Sequence, residues 1–205
     1  MTQDLQDLET LKHAPAETGV EDLLLKRWSP RSFANKPVPS EDLTKIFTAA
    51  SWAASSYNEQ PWRFFIGKKG DATYSKLFDA LVDRNQGWAT TAPILILSVG
   101  KKTFTQSGEP NGYALHDTGA ASANLALQAT ALGLHTHGMG GFDKDKIRAS
   151  LEIPEAFEIG AVWALGYLGS PEALPEPMKS METAPRKRNP LSDFVFEAWE
   201  KPATL

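Results

Sequence analysis

Tyr113-Ala-Leu-His-Asp-Thr-Gly-Ala-Ala-Ser-Ala-Asn-Leu-Ala-Leu-Gln-Ala-Thr-Ala-Leu132 decides the architecture of this chain. Across these 20 residues there is a single acid, Asp117, and no Lys, Arg or Glu. Seven alanines, with Gly119, keep the stretch small on nearly every side. A surface helix carries a charged face, so the pattern predicts a helix buried nearly all round. In a chain of 205 residues such burial points to cover by a second subunit; the other reading is the central core helix of a monomer. Gly133 closes the helix, as a glycine just past a C-terminus does.

On either side of this helix the pattern alternates between strands and shorter helices. Pro93 to Val99 is a continuous apolar run, the mark of a strand buried on both faces. Gly138 to Phe142 reads as a tight glycine turn, Lys144 to Leu151 as a short helix, and Glu158 to Leu168 as a strand rich in Ile, Val, Trp and Tyr. Nearer the N-terminus, Ser40 caps a helix with Glu41 and Asp42 in its first turn and Leu43, Ile46, Phe47 and Ala50 at helical spacing. Pro61 to Ile66 reads as a strand stopped by Gly67 and the Lys68-Lys69-Gly70 turn, and Asp71 to Val82 as a second helix facing inward through Leu77, Phe78 and Leu81.

Three parts follow: an N-terminal arm over 1–19, a core over 20–170, and a C-terminal arm over 171–205. Leu5, Leu8 and Leu11 allow the first arm to be a short docking helix or a solvated tail. The last 35 residues hold six of the 14 prolines, so no ordinary helix is expected before about Leu191 and an extended arm is. The whole predicts an α+β fold, a central sheet of modest size flanked by helices.

Composition narrows the function. Lys plus Arg number 21 and Asp plus Glu 25, a formal net charge of −4, with 41% hydrophobic residues. That is too apolar and too weakly charged for disorder. The absence of cysteine removes disulfide frameworks, cysteine zinc sites, iron–sulfur clusters and cysteine nucleophiles. The acidic balance argues against a dedicated nucleic-acid binder. A polar, acidic start and no long apolar run predict a cytoplasmic protein with no membrane partner.

Chemistry-bearing motifs are few. There is no P-loop and no nucleophile elbow, and Asp143 stands at the third glycine of the sequence opened by Gly138-Met-Gly140. His135-Thr-His137 places two imidazoles on one side if extended, but two histidines alone are too few for a metal site; no metal is expected, and they read as packing or hydrogen-bonding residues near a pocket. The basic clusters say more. Arg27-Trp28-Ser29-Pro30-Arg31 sets two guanidinium groups and a hydroxyl in a proline-interrupted segment, and Arg186-Lys187-Arg188 repeats the theme in the arm. Either alone reads as a solvated patch; together they suit a clamp on one dianionic group. Ser55-Ser56-Tyr57-Asn58-Glu59-Gln60, between Trp52 and Trp62, offers polar fingers beside flat apolar walls, fit for a heteroaromatic ring, or else is a capped loop turned by Asn58.

In order, these pieces resemble the nitroreductase family of flavin mononucleotide (FMN) enzymes. The likeness rests on Arg27, Ser29 and Arg31 with Phe33 and Pro37-Val38, on Ser55, Ser56, Asn58, Gln60, Pro61 and Trp62, on Gly140-Gly141-Phe142, and on Arg186 with Arg188. The resemblance implies a three-layer sandwich with a central, mostly antiparallel sheet, in an interlocked homodimer that shares its FMN sites. It implies that Arg27, Arg186 and Arg188 hold the FMN phosphate with Ser29 assisting and Trp28 beside them. Arg31 would lie at the pyrimidine edge as a stabiliser of the reduced ring, Asn85 against the ring, and Gly140 and Gly141 near its N5 side. Ala54, Ser55, Ser56 and Asn58 would reach the cofactor from the partner subunit. Two positions depart from the family: Ala54 stands where many members have proline, and Gly140 where some have an acid.

The implied activity is hydride transfer from NADH or NADPH through flavin N5 to an electron-poor nitroaromatic or quinone, by ping-pong kinetics. Such chemistry belongs to the cofactor, which accounts for the lack of an acid–base pair or nucleophile in the chain. The alternatives are a specialised relative, such as a dehalogenase or flavin-dependent oxidase, or a non-enzymatic flavin-binding protein. Specialised members carry a lid insertion, for which this chain has only Thr103 to Gly112.

Overall fold

The strand that organises the molecule is Ile94–Lys101, whose side chains are buried on both faces until Lys101. In the computed structural model, which describes residues 2–15 and 19–204, the elements in chain order are α1 (Gln3–Lys12), α2 (Asp22–Lys26), α3 (Ser40–Ser51), β1 (Trp62–Lys68), α4 (Ala72–Asp79), α5 (Asp83–Ala89), β2 (Ile94–Lys101), α6 (Ala114–Ala131), β3 (His135–Met139), α7 (Lys144–Ser150), β4 (Phe157–Gly166), α8 (Met178–Thr183), β5 (Phe196–Ala198) and β6 (Lys201–Pro202). Met1 and residues 16–18 of the expected N-terminal arm, and Leu205 of the C-terminal one, lie outside the described residues.

Four strands form one sheet in the order β1-β2-β4-β3, and every neighbouring pair is antiparallel. Alternation along β2 sends Leu95, Leu97 and Val99 to one face, where Tyr74 and Leu77 of α4, Trp88 of α5 and Ile147 of α7 pack. Ile94 and Ile96 meet Ile46 and Ala50 of α3 and Ala121, Leu125 and Ala129 of α6 on the other. The result is the expected α+β sandwich of three layers. No helix among the described residues is long and apolar enough to cross a membrane.

Several expectations change: Ser40 is the first residue of α3 behind Pro39 rather than its cap, and α4 ends at Asp79. Gly67 does not stop β1: it pairs with Leu95, and a Cβ there would strike the Tyr74 backbone, so its glycine is set by the close approach of α4. Gly138 and Met139 belong to strand β3 rather than to a turn, because pairing with Trp163 and Val162 of β4 overrides a weak local strand signal. A helix does form before Leu191: α8 fits its six residues between Pro177 and Pro185, where proline breaks no helical bond. Finally, α6 is not buried all round within one chain. Its inner face is covered, but Leu115 is 42% exposed, the preceding Tyr113 59%, and Gly119 and Ala123 are also open. One sheet and α3 cover one side only, and the open side is apolar rather than charged.

Gln3–Lys12 forms a docked helix through Leu5 and Leu8, while Leu11 stays 44% exposed. Leu8 is buried with Trp28 and Leu168, and Leu5 packs against them.

Candidate functional site

After α2 the chain leaves the helix at an extended Arg27 and runs through Arg31 with neither helix nor strand, the proline there keeping it from rejoining a helix. A cavity of about 240 Å³ opens on this segment, lined by Arg27, Trp28, Ser29 and Arg31, and by Arg186 and Arg188 from the arm. Structure therefore brings together six residues that lie up to 161 positions apart, from Arg27 to Arg188. Lys12 and Glu182 line the same cavity; sequence reasoning missed both. Two of the arginines are depressed, by burial first and by their neighbours second. Burial, then the neighbouring Arg188, lowers the pKa of Arg27, and burial, then Arg188 and Arg27, that of Arg186. A site whose positive charges are half desolvated and mutually repelling is one that gains by receiving an anion.

The arm is held here by hydrogen bonds that cross the whole chain. Arg186 Nη1 donates to Lys12 O and to Leu25 O, each at 2.6 Å. These carbonyls end α1 and α2, so the guanidinium satisfies groups that a helix C-terminus leaves free. Lys12 returns the contact, donating from Nζ to Ala184 O at 2.6 Å, while its ammonium sits 5.0 Å from the Trp28 ring centroid. Glu182 is 1% exposed; its Oε1 accepts from Arg31 N–H at 2.7 Å and Ser32 N–H at 3.3 Å.

Arg31 is also a wall of a second cavity, about 370 Å³, lined by Asn85, Trp88, His137, Gly140 and Gly141 among others. Asn85 Nδ2 donates to Gly141 O at 2.9 Å, and Val82 N–H donates to the same carbonyl at 3.1 Å, which fixes the glycine turn. A Cβ on Gly140 would meet nothing, whereas one on Gly141 would press on Asn85 Nδ2 at 2.9 Å. The Trp88 and His137 rings lie 4.5 Å apart, centroid to centroid. His137 Nδ1 donates to Pro30 O at 2.9 Å, and burial brings its pKa down to about 4, so it is a neutral imidazole at pH 7. The cavity thus has an apolar aromatic floor, an open backbone edge and a guanidinium at one side, a shape for a flat polar ring.

The two histidines of β3 do share a face, but with separate partners: His135 is buried and its Nε2 lies 3.3 Å from Glu9 Oε1. No three metal-ligating residues cluster among the described residues. A further cavity, about 660 Å³, lies behind α1 beside Glu9 and His135 and gathers no comparable cationic set.

Ala54, Ser55, Ser56 and Asn58 line neither site cavity within the chain. They form a short turn in which Tyr57, Asn58 and Gln60 take φ of 52°, 53° and 49°, held by Ser56 N–H to Asp117 Oδ2 at 2.9 Å and Gln60 N–H to Ser55 Oγ at 3.0 Å. Asp117, the lone acid of the α6 stretch, is thereby explained. This turn projects outward, with Tyr57 92% and the nearby Trp52 82% exposed.

Comparison with known proteins gives the family. A protein of Mycolicibacterium smegmatis, an uncharacterised 15.4 kDa protein, is 32% identical over 151 residues, 68% of this chain and 99% of its own. An NADH dehydrogenase of Thermus thermophilus is 29% identical over 174 residues, covering 70% of this chain and 83% of its own. The crystal structure of an oxidoreductase containing FMN superposes with a TM-score of 0.84 at 40% identity, over 89% of this chain and 93% of the other. The model of the nitroreductase family matches residues 24–87 and 68–167, which hold α3 to β4, Arg27, Arg31 and the Asn85–Gly141 cavity. The chain belongs to the nitroreductase family of oxidoreductases.

Proposed function

We propose that this oxidoreductase binds FMN and uses it to pass hydride from NADH or NADPH to an electron-poor acceptor of nitroaromatic or quinone type, with ping-pong kinetics, in the cytoplasm. The observation that carries the reading is Arg31, which lines both cavities at once: a cationic one suited to a phosphate and a flat one suited to a ring. The FMN content of the 40%-identical structure supports the same cofactor.

When bound, FMN supplies the hydride chemistry between nicotinamide and acceptor. The chain supplies the rest. Arg27, Ser29, Arg186 and Arg188 take the phosphate, and Trp28 backs them. Arg31 sets a positive charge at the ring edge where negative charge gathers on reduction. Asn85, by holding the Gly141 carbonyl, keeps the backbone of Gly140 and Gly141 close to the ring. His137, neutral and tilted against the Trp88 ring, gives the pocket a floor that brings no competing charge.

Ala54, Ser55, Ser56 and Asn58 complete the site from a second copy. The support is the uncharged open stripe of α6 and the exposed Trp52 and Tyr57 beside it, an apolar surface of the kind that marks a protein interface. In this homodimer the core 20–170 carries the ring cavity, and the arms over 1–19 and 171–205 close the phosphate cavity.

The test is direct. Purified protein is expected to be yellow, dimeric, to release FMN on denaturation, and to oxidise NAD(P)H when a quinone is added. A colourless monomer would refute the reading, and a yellow protein without turnover would reduce it to a flavin-binding protein. Arg31→Ala is expected to slow reduction more than it weakens FMN binding; the opposite result would make Arg31 an anchor only.

A further inference from the structure

A carboxylate buried in a cation cluster needs a reason. Glu182 shares a cavity of about 240 Å³ with five cations, Lys12 from α1, Arg27 and Arg31 from the segment after α2, and Arg186 and Arg188 from its own arm, and of these Arg31 and then Lys12 act on its charge. It is not used as an ordinary salt bridge. One oxygen, Oε1, takes the amides of Arg31 and Ser32, while Oε2 has no hydrogen-bond partner and lies 3.7 Å from Arg31 Nη1. Burial raises its pKa, the sign of a charge kept at a cost.

We propose that Glu182 is a positioning residue for Arg31: it fixes the guanidinium on the wall common to the two cavities and offsets part of its charge. Two features support this. The amide contacts lock the backbone at the residue that carries the guanidinium, so side chain and main chain are held by one group. The free oxygen is turned to Arg31 and has no other partner, so its charge acts on that cation above the rest. Its consequence is that the cavity binds its anion less tightly, and Arg31 favours negative charge on the ring less strongly, than the cations alone would. The proposal rests on the FMN reading only for the identity of the anion.

Glu182→Gln separates tuning from mere support, because the amide oxygen still accepts both N–H groups while the charge is gone. Apoprotein titrated with FMN, followed by flavin fluorescence, is expected to bind on the order of tenfold more tightly in this variant, the scale of one screened unit charge near a dianion. The midpoint potential of the bound flavin is expected to become more positive. Glu182→Asp, which keeps the charge, is expected to stay near the parent protein in both readings. Equal or weaker binding by Glu182→Gln with an unchanged potential would overturn the proposal, as would a Glu182→Gln protein that does not fold, which would make the carboxylate a support of the fold. If the parent protein binds no FMN, the cofactor reading fails; inorganic phosphate, scored by thermal stabilisation, then poses the same question. There, stronger stabilisation of Glu182→Gln supports the proposal and equal or weaker stabilisation overturns it.

Discussion

Arg186→Ala tests whether the C-terminal arm is bolted to the N-terminal one as the structure shows. The substitution removes two hydrogen bonds of 2.6 Å, to Lys12 O and Leu25 O, both made by a cation to carbonyls at helix ends. Charge-assisted bonds of this kind contribute about 1.5–3 kcal/mol each. Because Arg186 is only partly buried, the lower end applies, and the pair together is worth roughly 3 kcal/mol. For a chain of this size each kcal/mol moves the melting temperature by about 2–4 °C, so a fall of roughly 6–12 °C is expected. Limited trypsin digestion should cut the arm faster, at Lys187 and Arg188, than in the parent. Arg186→Lys retains the charge but not the position of Nη1, the one nitrogen that makes both bonds, so it should lose most of the stability while keeping more of the FMN affinity than Arg186→Ala. A melting temperature within 2 °C of the parent, on the scale of about 1 kcal/mol, and an arm no more open to trypsin would refute the argument.

Three further outcomes follow from other parts of the molecule. Gly67→Ala places a methyl carbon 2.5 Å from Tyr74 Cα, a backbone atom that cannot swing aside; a loss of about 3 kcal/mol or more in urea unfolding is expected, and a neutral result would mean that α4 does not pack on β1 this closely. His137, with a folded pKa near 4 against 6.5 unfolded, binds its proton more readily in the unfolded chain, so the stability it allows is full above pH 6.5 and is lost as pH falls toward about 4. That loss is on the order of 3 kcal/mol and should vanish in His137→Phe when unfolding is followed across pH 4 to 7. Leu115→Asp puts a charge on the open stripe of α6 without touching the core, and should convert the proposed dimer to monomer in light scattering while circular dichroism stays unchanged; a persistent dimer would place the interface elsewhere.

What the sequence made legible depends on how local its cause is. The apolar run of β2 and the alanine-rich α6 could be read because each records its own burial residue by residue. Arg27, Arg31, Arg186 and Arg188 could be paired because guanidinium groups on proline-rich, non-helical segments in an acidic chain have few other uses. Gly67 misled because the demand on it comes from Tyr74, packed against it by tertiary structure, and no local pattern separates such a glycine from a strand stop. His135 to Met139 carries too little β-branched or aromatic character to announce β3; its partner strand makes it one. Asn85 was placed by resemblance alone, and its hydrogen bond to Gly141 O supplies the physical reason.

Lys12 and Glu182 show the limit most sharply. Lys12 looks like the basic last residue of a short helix, and Glu182 like one more acid in a polar arm. Their roles exist only where 170 residues of separation are folded to a few ångströms, with Lys12 Nζ on Ala184 O and Glu182 on the amides of Arg31 and Ser32. The cationic cavity is thus the seam at which α1 and the C-terminal arm are fastened. An anion bound there joins cations from the α2–α3 segment and the C-terminal arm, so its binding should stabilise the arms more than the sheet. Amide hydrogen exchange offers the check: added FMN should protect α1 and α8 more than β2, whose exchange already requires global opening.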